Sequence, residues 1–111
     1  MHSVVNRGNG LTLQNGDLVK VFLDDTVGLP SMLKNDCQIF AGKEMLIGIV
    51  TCDPKDKDAI CILIGSEIYD ALRRPRGRPH STEYALKHRR DKHPFAIVTV
   101  TKTILCGSWE N

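Results

Sequence analysis

Short apolar runs cut by turn-forming residues constrain the fold of this chain more than any other feature. Four stand out: Asp17-Leu18-Val19-Lys20-Val21-Phe22-Leu23, Met45-Leu46-Ile47-Gly48-Ile49-Val50-Thr51-Cys52, Ala59-Ile60-Cys61-Ile62-Leu63-Ile64, and residues 95–105 from Phe95 to Leu105. All are rich in β-branched and large apolar residues and are near strand length, so each predicts a strand. Asn15-Gly16 precedes the first and Asp24-Asp25 ends it. The charged turn Asp53-Pro54-Lys55-Asp56-Lys57-Asp58 joins the second and third, predicting an antiparallel hairpin. Gly48 inside the second run marks a bulge or a close backbone approach. In the last run Thr99, Thr101 and Thr103 alternate with Val98, Val100 and Ile104. Lys102 interrupts the apolar side, so the buried face stays open at this stage.

The other segments are less regular. Residues 1–16 are polar, with Gly8, Gly10 and Gly16, and read as a loose arm or a short strand. Residues 26–44 carry Gly28, Pro30, Asn35 and Gly42, and read as a long irregular connection with room for one short strand near Ile39-Phe40-Ala41. Residues 67–74 fit either a short helix capped by Ser66 or a short strand. Ser81 or Thr82 as a cap and Pro94 as a stop predict a helix over about 82–93, with Tyr84, Leu86 and His88 toward the body. A chain of 111 residues, 41% hydrophobic, fits one domain over 1–111. The expected fold is mainly β with one or two short helices, a small antiparallel sheet or barrel. A basic helical insertion at 73–93 precedes the last strand.

Three pieces carry a family resemblance. Asn15-Gly16-Asp17-Leu18-Val19-Lys20-Val21, Leu46-Ile47-Gly48-Ile49-Val50, and Ile62-Leu63-Ile64-Gly65-Ser66-Glu67-Ile68-Tyr69 resemble the strands of small SH3-like barrels. Such domains include the KOW and Tudor groups and many short phage-encoded proteins. The resemblance implies a fold more than a function.

The four cysteines, Cys37, Cys52, Cys61 and Cys106, form no Cys-x-x-Cys pair and no Cys/His cluster with zinc spacing. They are expected to be buried free thiols, which favours a reducing compartment. No signal peptide is evident in Met1–Gly10, and no apolar run has membrane-spanning length. His88 and His93, five apart, do not make a metal pair on the expected helix. Asp53, Asp56 and Asp58 lack the glycine and terminal glutamate of a calcium loop and read as a charged turn. Trp109 and Tyr69 read as core or lid residues. No nucleophile elbow, phosphate loop or paired acid and base appears. The expectation is a protein without catalytic residues, cofactor or metal.

The formal net charge is only +2, but it is unevenly placed. Residues 73–93 hold eight basic residues and two acids, a local charge of +6, while the remainder carries −4. A local basic run on an acidic body points to a polyanion partner. Within it, Pro75-Arg76-Gly77-Arg78-Pro79 resembles the core of the AT-hook, a DNA-binding motif. The minor groove of A·T tracts is narrow and strongly negative, which draws in arginine. Gly77 lets the backbone lie near the groove floor, and Pro75 and Pro79 restrict the flanking chain. Arg76 and Arg78 would extend along the groove toward adenine and thymine acceptors, and guanine's amino group would obstruct them. Arg73 and Arg74 would meet phosphates, joined by Lys87, Arg89, Arg90 and Lys92 from the following helix.

The expected function is thus non-enzymatic binding of A·T-rich double-stranded DNA in chromatin, nucleoid or transcription. The expected location is the cytoplasm and nucleoid, or a nucleus in a eukaryote. An RNA-binding or ribosome-associated role and a module targeting a host protein remain open. The final strand offers an edge for a homodimer.

Overall fold

The computed structural model describes residues 13–53, 59–74 and 83–103. These form β1 (Leu18–Thr26), a single helical turn α1 (Ser31–Lys34), β2 (Gln38–Phe40), β3 (Lys43–Val50), β4 (Ala59–Ile64), β5 (Glu67–Arg73), β6 (Glu83–His88) and β7 (Ala96–Lys102). The seven strands form one antiparallel sheet in the order β1-β7-β6-β5-β4-β3-β2, and β1 also pairs with β3. Six strands therefore close into a barrel, with β2 as an extra strand on β3. A small antiparallel barrel is what the strand pattern predicted, and it is consistent with an SH3-like barrel.

Side-chain alternation explains the closure. Val19, Val21 and Leu23 of β1, Ile60, Ile62 and Ile64 of β4, and Val98 and Val100 of β7 point inward. Tyr69 and Ala71 of β5 and Tyr84 and Leu86 of β6 complete the core. The face of the last strand is thereby settled: Val98 and Val100 are inside, and Thr99 and Thr101 lie on the outer, partly exposed face. Lys102 escapes burial because it sits at the barrel mouth, 3.3 Å from Asp17 Oδ2. Gly48 is a close-approach position. A Cβ there would collide with Ile62 Cγ2 and come within 3.1 Å of Ile64 Cγ1 and the Leu63 carbonyl oxygen. The β2–β3 hairpin turns on Ala41 and Gly42, at φ 54° and 82°. Two successive left-handed residues match the twist of a two-residue hairpin.

Two sequence expectations are corrected. The helix over about 82–93 is not formed, because Glu83–His88 is strand β6. It pairs with β5 from Tyr69↔His88 to Arg73↔Tyr84 and with β7 from Glu83↔Thr99 to Leu86↔Ala96. Without it, the facing edges of β5 and β7 would be open and their backbone groups unpaired. Residues 67–74, ambiguous in sequence, supply β5 for the same reason. Over Ala96–Thr99 the final strand is flanked by both β1 and β6, so this stretch offers no open edge for a homodimer.

The connection at 26–44 holds more structure than an irregular loop. Leu33 of α1 is buried in the core, Leu29 and Cys37 pack against it, and the Val27 N–H donates to the Phe95 carbonyl.

Candidate nucleic-acid interface

Antiparallel register sorts the functional residues between two rims. Leu18 lies opposite Ile49, Ala59 opposite Leu72, Glu83 opposite Thr99, and Val19 opposite Lys102. The start of β1, the end of β3, the start of β4, the end of β5, the start of β6 and the end of β7 thus share one rim, here the Lys102 rim. The opposite rim, at His88, carries α1 and the turns β2–β3, β4–β5 and β6–β7.

Arg73 is the last residue of β5, and Arg74 follows it. The Arg74 N–H donates to the Glu83 carbonyl at 2.8 Å, closing the base of a hairpin on the Lys102 rim. Both arginine side chains are half-buried and engaged with neighbours. Arg76, Gly77 and Arg78 lie outside the described residues, in the connection between these two strands. The other described ends on this rim are Leu13, Asp53, Ala59 and Thr103. Thr103 donates its N–H to the Leu18 carbonyl at 2.8 Å.

The remaining basic residues lie along β6 and beyond its end, away from the Arg74–Glu83 base. Lys87 lies on the outer face of β6, with Nζ 3.2 Å from Asp70 Oδ2 and donating to the Asp91 carbonyl at 2.9 Å. Its charge is matched locally. Arg89 and Arg90 form the turn after β6, and Lys92 follows in the loop, all exposed. They occupy the His88 rim. Six residues at 3.3 Å each put Arg89 about 20 Å from Glu83 along the strand. The expected helix would have kept these side chains near the arm; strand β6 carries them away from it.

On the His88 rim, His88, Arg90 and Glu67 form one bonded group. The Arg90 N–H donates to His88 Nδ1 at 3.2 Å. Nδ1 is then the acceptor, so Nε2 carries the proton and donates to Glu67 Oε1 at 3.0 Å. Arg90 Nη2 also reaches Glu67 Oε1, at 3.4 Å. The His88 hydrogen bond, aided by the Arg90 charge and against partial desolvation, holds the Glu67 carboxyl below its ordinary value. Tyr69, fully buried, packs edge-on against His88 and Phe95. Burial first, then the charges of Glu67 and Asp36, push its hydroxyl up to about 12. Tyr69 is a core residue, as expected; Trp109 lies outside the described residues.

The cysteines are free, as expected, at Cys37, Cys52 and Cys61, but they are half-buried rather than buried. Cys61 faces away from the barrel interior because the inward positions of β4 fall to its neighbours Ile60 and Ile62, and Cys37 packs at the margin of the core. Cys106 lies outside the described residues. Among the described residues no group of three or more His, Cys, Asp or Glu is placed to hold a metal ion, and no helix is long and apolar enough to cross a membrane.

Sequence reasoning missed the Lys102–Asp17 pair as part of the arm's rim. Its only signal was a charge interrupting an otherwise apolar strand face. No family model, curated protein or solved structure matches the chain.

Proposed function

We propose that the chain is a non-enzymatic DNA-binding protein that presents Pro75-Arg76-Gly77-Arg78-Pro79 from a barrel rim to the minor groove of A·T-rich duplex DNA. The observation that carries this reading is the motif itself, joined to its position between paired strands. The Arg74–Glu83 backbone bond fastens its base to a barrel of hydrogen-bonded strands. A fastened loop loses less freedom on binding than a free tail. Arg76 and Arg78 read the groove, and Arg73 and Arg74 meet the flanking phosphates. Lys87, Arg89, Arg90 and Lys92 are no longer part of the principal contact. Action in a nucleoid, in chromatin or in transcription belongs to the same proposal.

The test is a mobility-shift series with A·T-only duplex, G·C-only duplex and structured RNA across a range of salt. The expected result is preference for A·T duplex, weakening as salt rises, and loss of that preference in Arg76→Ala/Arg78→Ala. Equal binding to the two duplexes would sink the minor-groove reading. Tighter binding to RNA would replace it with the RNA-binding role that small KOW-like barrels suggest.

A protein partner is the second reading. It is favoured by Val27, Met32, Ile39 and Phe40, large apolar residues exposed in the connection between β1 and β3. A partner that still binds after deletion of residues 73–80 would support it.

A further inference from the structure

We infer that Cys52 and Cys61 form an oxidation-sensitive dithiol that closes to a disulfide under a peroxide oxidant. The β3–β4 ladder brings them together. Val50 pairs with Ile62, and the Thr51 N–H donates to the Cys61 carbonyl at 2.9 Å. Continued as a strand, Cys52 would face inward, opposite Ile60, while Cys61 faces out. The chain instead bends at Cys52. Cys52 Sγ thereby accepts the Cys61 backbone N–H at 3.1 Å, which holds the two cysteines side by side.

A small oxidant has a way in. An open cavity of about 340 Å³ is lined by both cysteines with Asp53, Ile60, Asp70 and Leu72. Asp70 Oδ1 lies 3.7 Å from Cys61 Sγ. Two cysteines joined by the Cys61 N–H to Cys52 Sγ bond and lining one open cavity form a site that a lone cysteine does not.

The surroundings assign the roles. Burial, then the hydrogen bond and charge of Cys52, then the charge of Asp70 push the Cys61 thiol up to about 12, against the opposing charge of Arg89. Cys61 therefore keeps its proton at neutral pH. The Cys52 sulfur receives the Cys61 backbone N–H and lines the open cavity, so it is the attacking atom. It attacks one peroxide oxygen: an S–O bond forms, the O–O bond breaks, and the departing hydroxide takes a proton to become water. The product is a sulfenic acid on Cys52. The Cys61 sulfur then attacks the Cys52 sulfur. An S–S bond forms, the S–O bond breaks, and the hydroxyl leaves with the Cys61 proton as a second water. Two thiols lose two electrons and one peroxide becomes two waters. A small dithiol reverses the link by exchange.

The experiment uses the full chain with Cys37→Ser and Cys106→Ser, folded and treated with hydrogen peroxide, then digested without reductant. The expected product is a peptide pair linked through Cys52 and Cys61 that separates on adding dithiothreitol. In Cys61→Ser, dimedone should capture a sulfenic acid on Cys52; in Cys52→Ser, Cys61 should remain an alkylatable thiol. Two alkylatable thiols after peroxide, or linkage only after unfolding in guanidinium, would overturn the inference. Capture by dimedone on Cys61 in place of Cys52 would overturn the assigned order. The linked peptide reads the pair in the parent chain even where a serine variant fails to fold.

Discussion

Single residues expose the costs that the barrel tolerates. The Tyr69 hydroxyl is buried without a hydrogen-bond partner among the described residues. Leaving a buried hydroxyl unsatisfied costs about 1–3 kcal/mol. Tyr69→Phe should therefore raise stability by about 1 kcal/mol in a urea titration, and a clear loss would reveal a partner for the hydroxyl. Glu67 behaves in the opposite sense, because its charged form is the one that is held. Its carboxyl, depressed from an ordinary 4.5, contributes stability above that value and loses it as pH falls through the lower folded value. Melting temperatures across that acid interval should fall less steeply in Glu67→Gln than in the parent, and parallel curves would remove Glu67 from the acid transition. Neither residue announced itself in the sequence. Tyr69 reads there as one more apolar position, and Glu67 meets His88 only after β5 and β6 have paired.

At the scale of elements, the short apolar runs were legible and the boundaries of the basic segment were not. β1, β3, β4 and β7 fall on the four runs because β-branched alternation needs only local chemistry, but β1 continues through Asp24-Asp25 to Thr26 and β3 spans Lys43–Val50. β6 was misread because Ser81, Thr82 and Pro94 resemble helix punctuation. The better signal was already present: Tyr84, Leu86 and His88 are spaced by two, and all three are buried. A helix would have spread that spacing over different faces, whereas a strand keeps it on one. Of the two readings of Gly48, a bulge or a close backbone approach, a close approach is found, made mainly by the Ile62 side chain, with the Leu63 carbonyl beside it. Gly48→Ala places a methyl group against Ile62 on β4. Overpacking of this kind should destabilise the protein by about 1–3 kcal/mol in denaturant titration. An unchanged midpoint would mean that β3 and β4 separate at little cost.

For the molecule as a whole, barrel closure redistributes the charge. Among the described basic residues that are neighbours in the chain, Arg73 and Arg74 lie on one rim, Lys87 is paired on the barrel wall, and Arg89, Arg90 and Lys92 lie on the other rim. If DNA lies on the Lys102 rim, Arg73→Ala/Arg74→Ala should weaken binding to all sequences and reduce the salt slope by about 1 per lost phosphate contact. The triple variant Arg89→Ala/Arg90→Ala/Lys92→Ala should leave both within error. A fluorescence-anisotropy salt series separates the two sets. An equal effect from both sets would mean that DNA wraps the barrel wall rather than meeting one rim.

By itself, the sequence determined that the chain is mainly β and which apolar runs become strands. These follow from backbone sterics and side-chain shape acting over a few residues. Only the tertiary structure decided that residues 83–88 are a strand, that Lys102 marks a rim, that Cys52 and Cys61 meet, and that the basic residues part company. Each depends on pairing between distant segments. The closed ladder gives each of the six barrel strands a partner on both sides, and local preference at the basic segment was too weak to resist it.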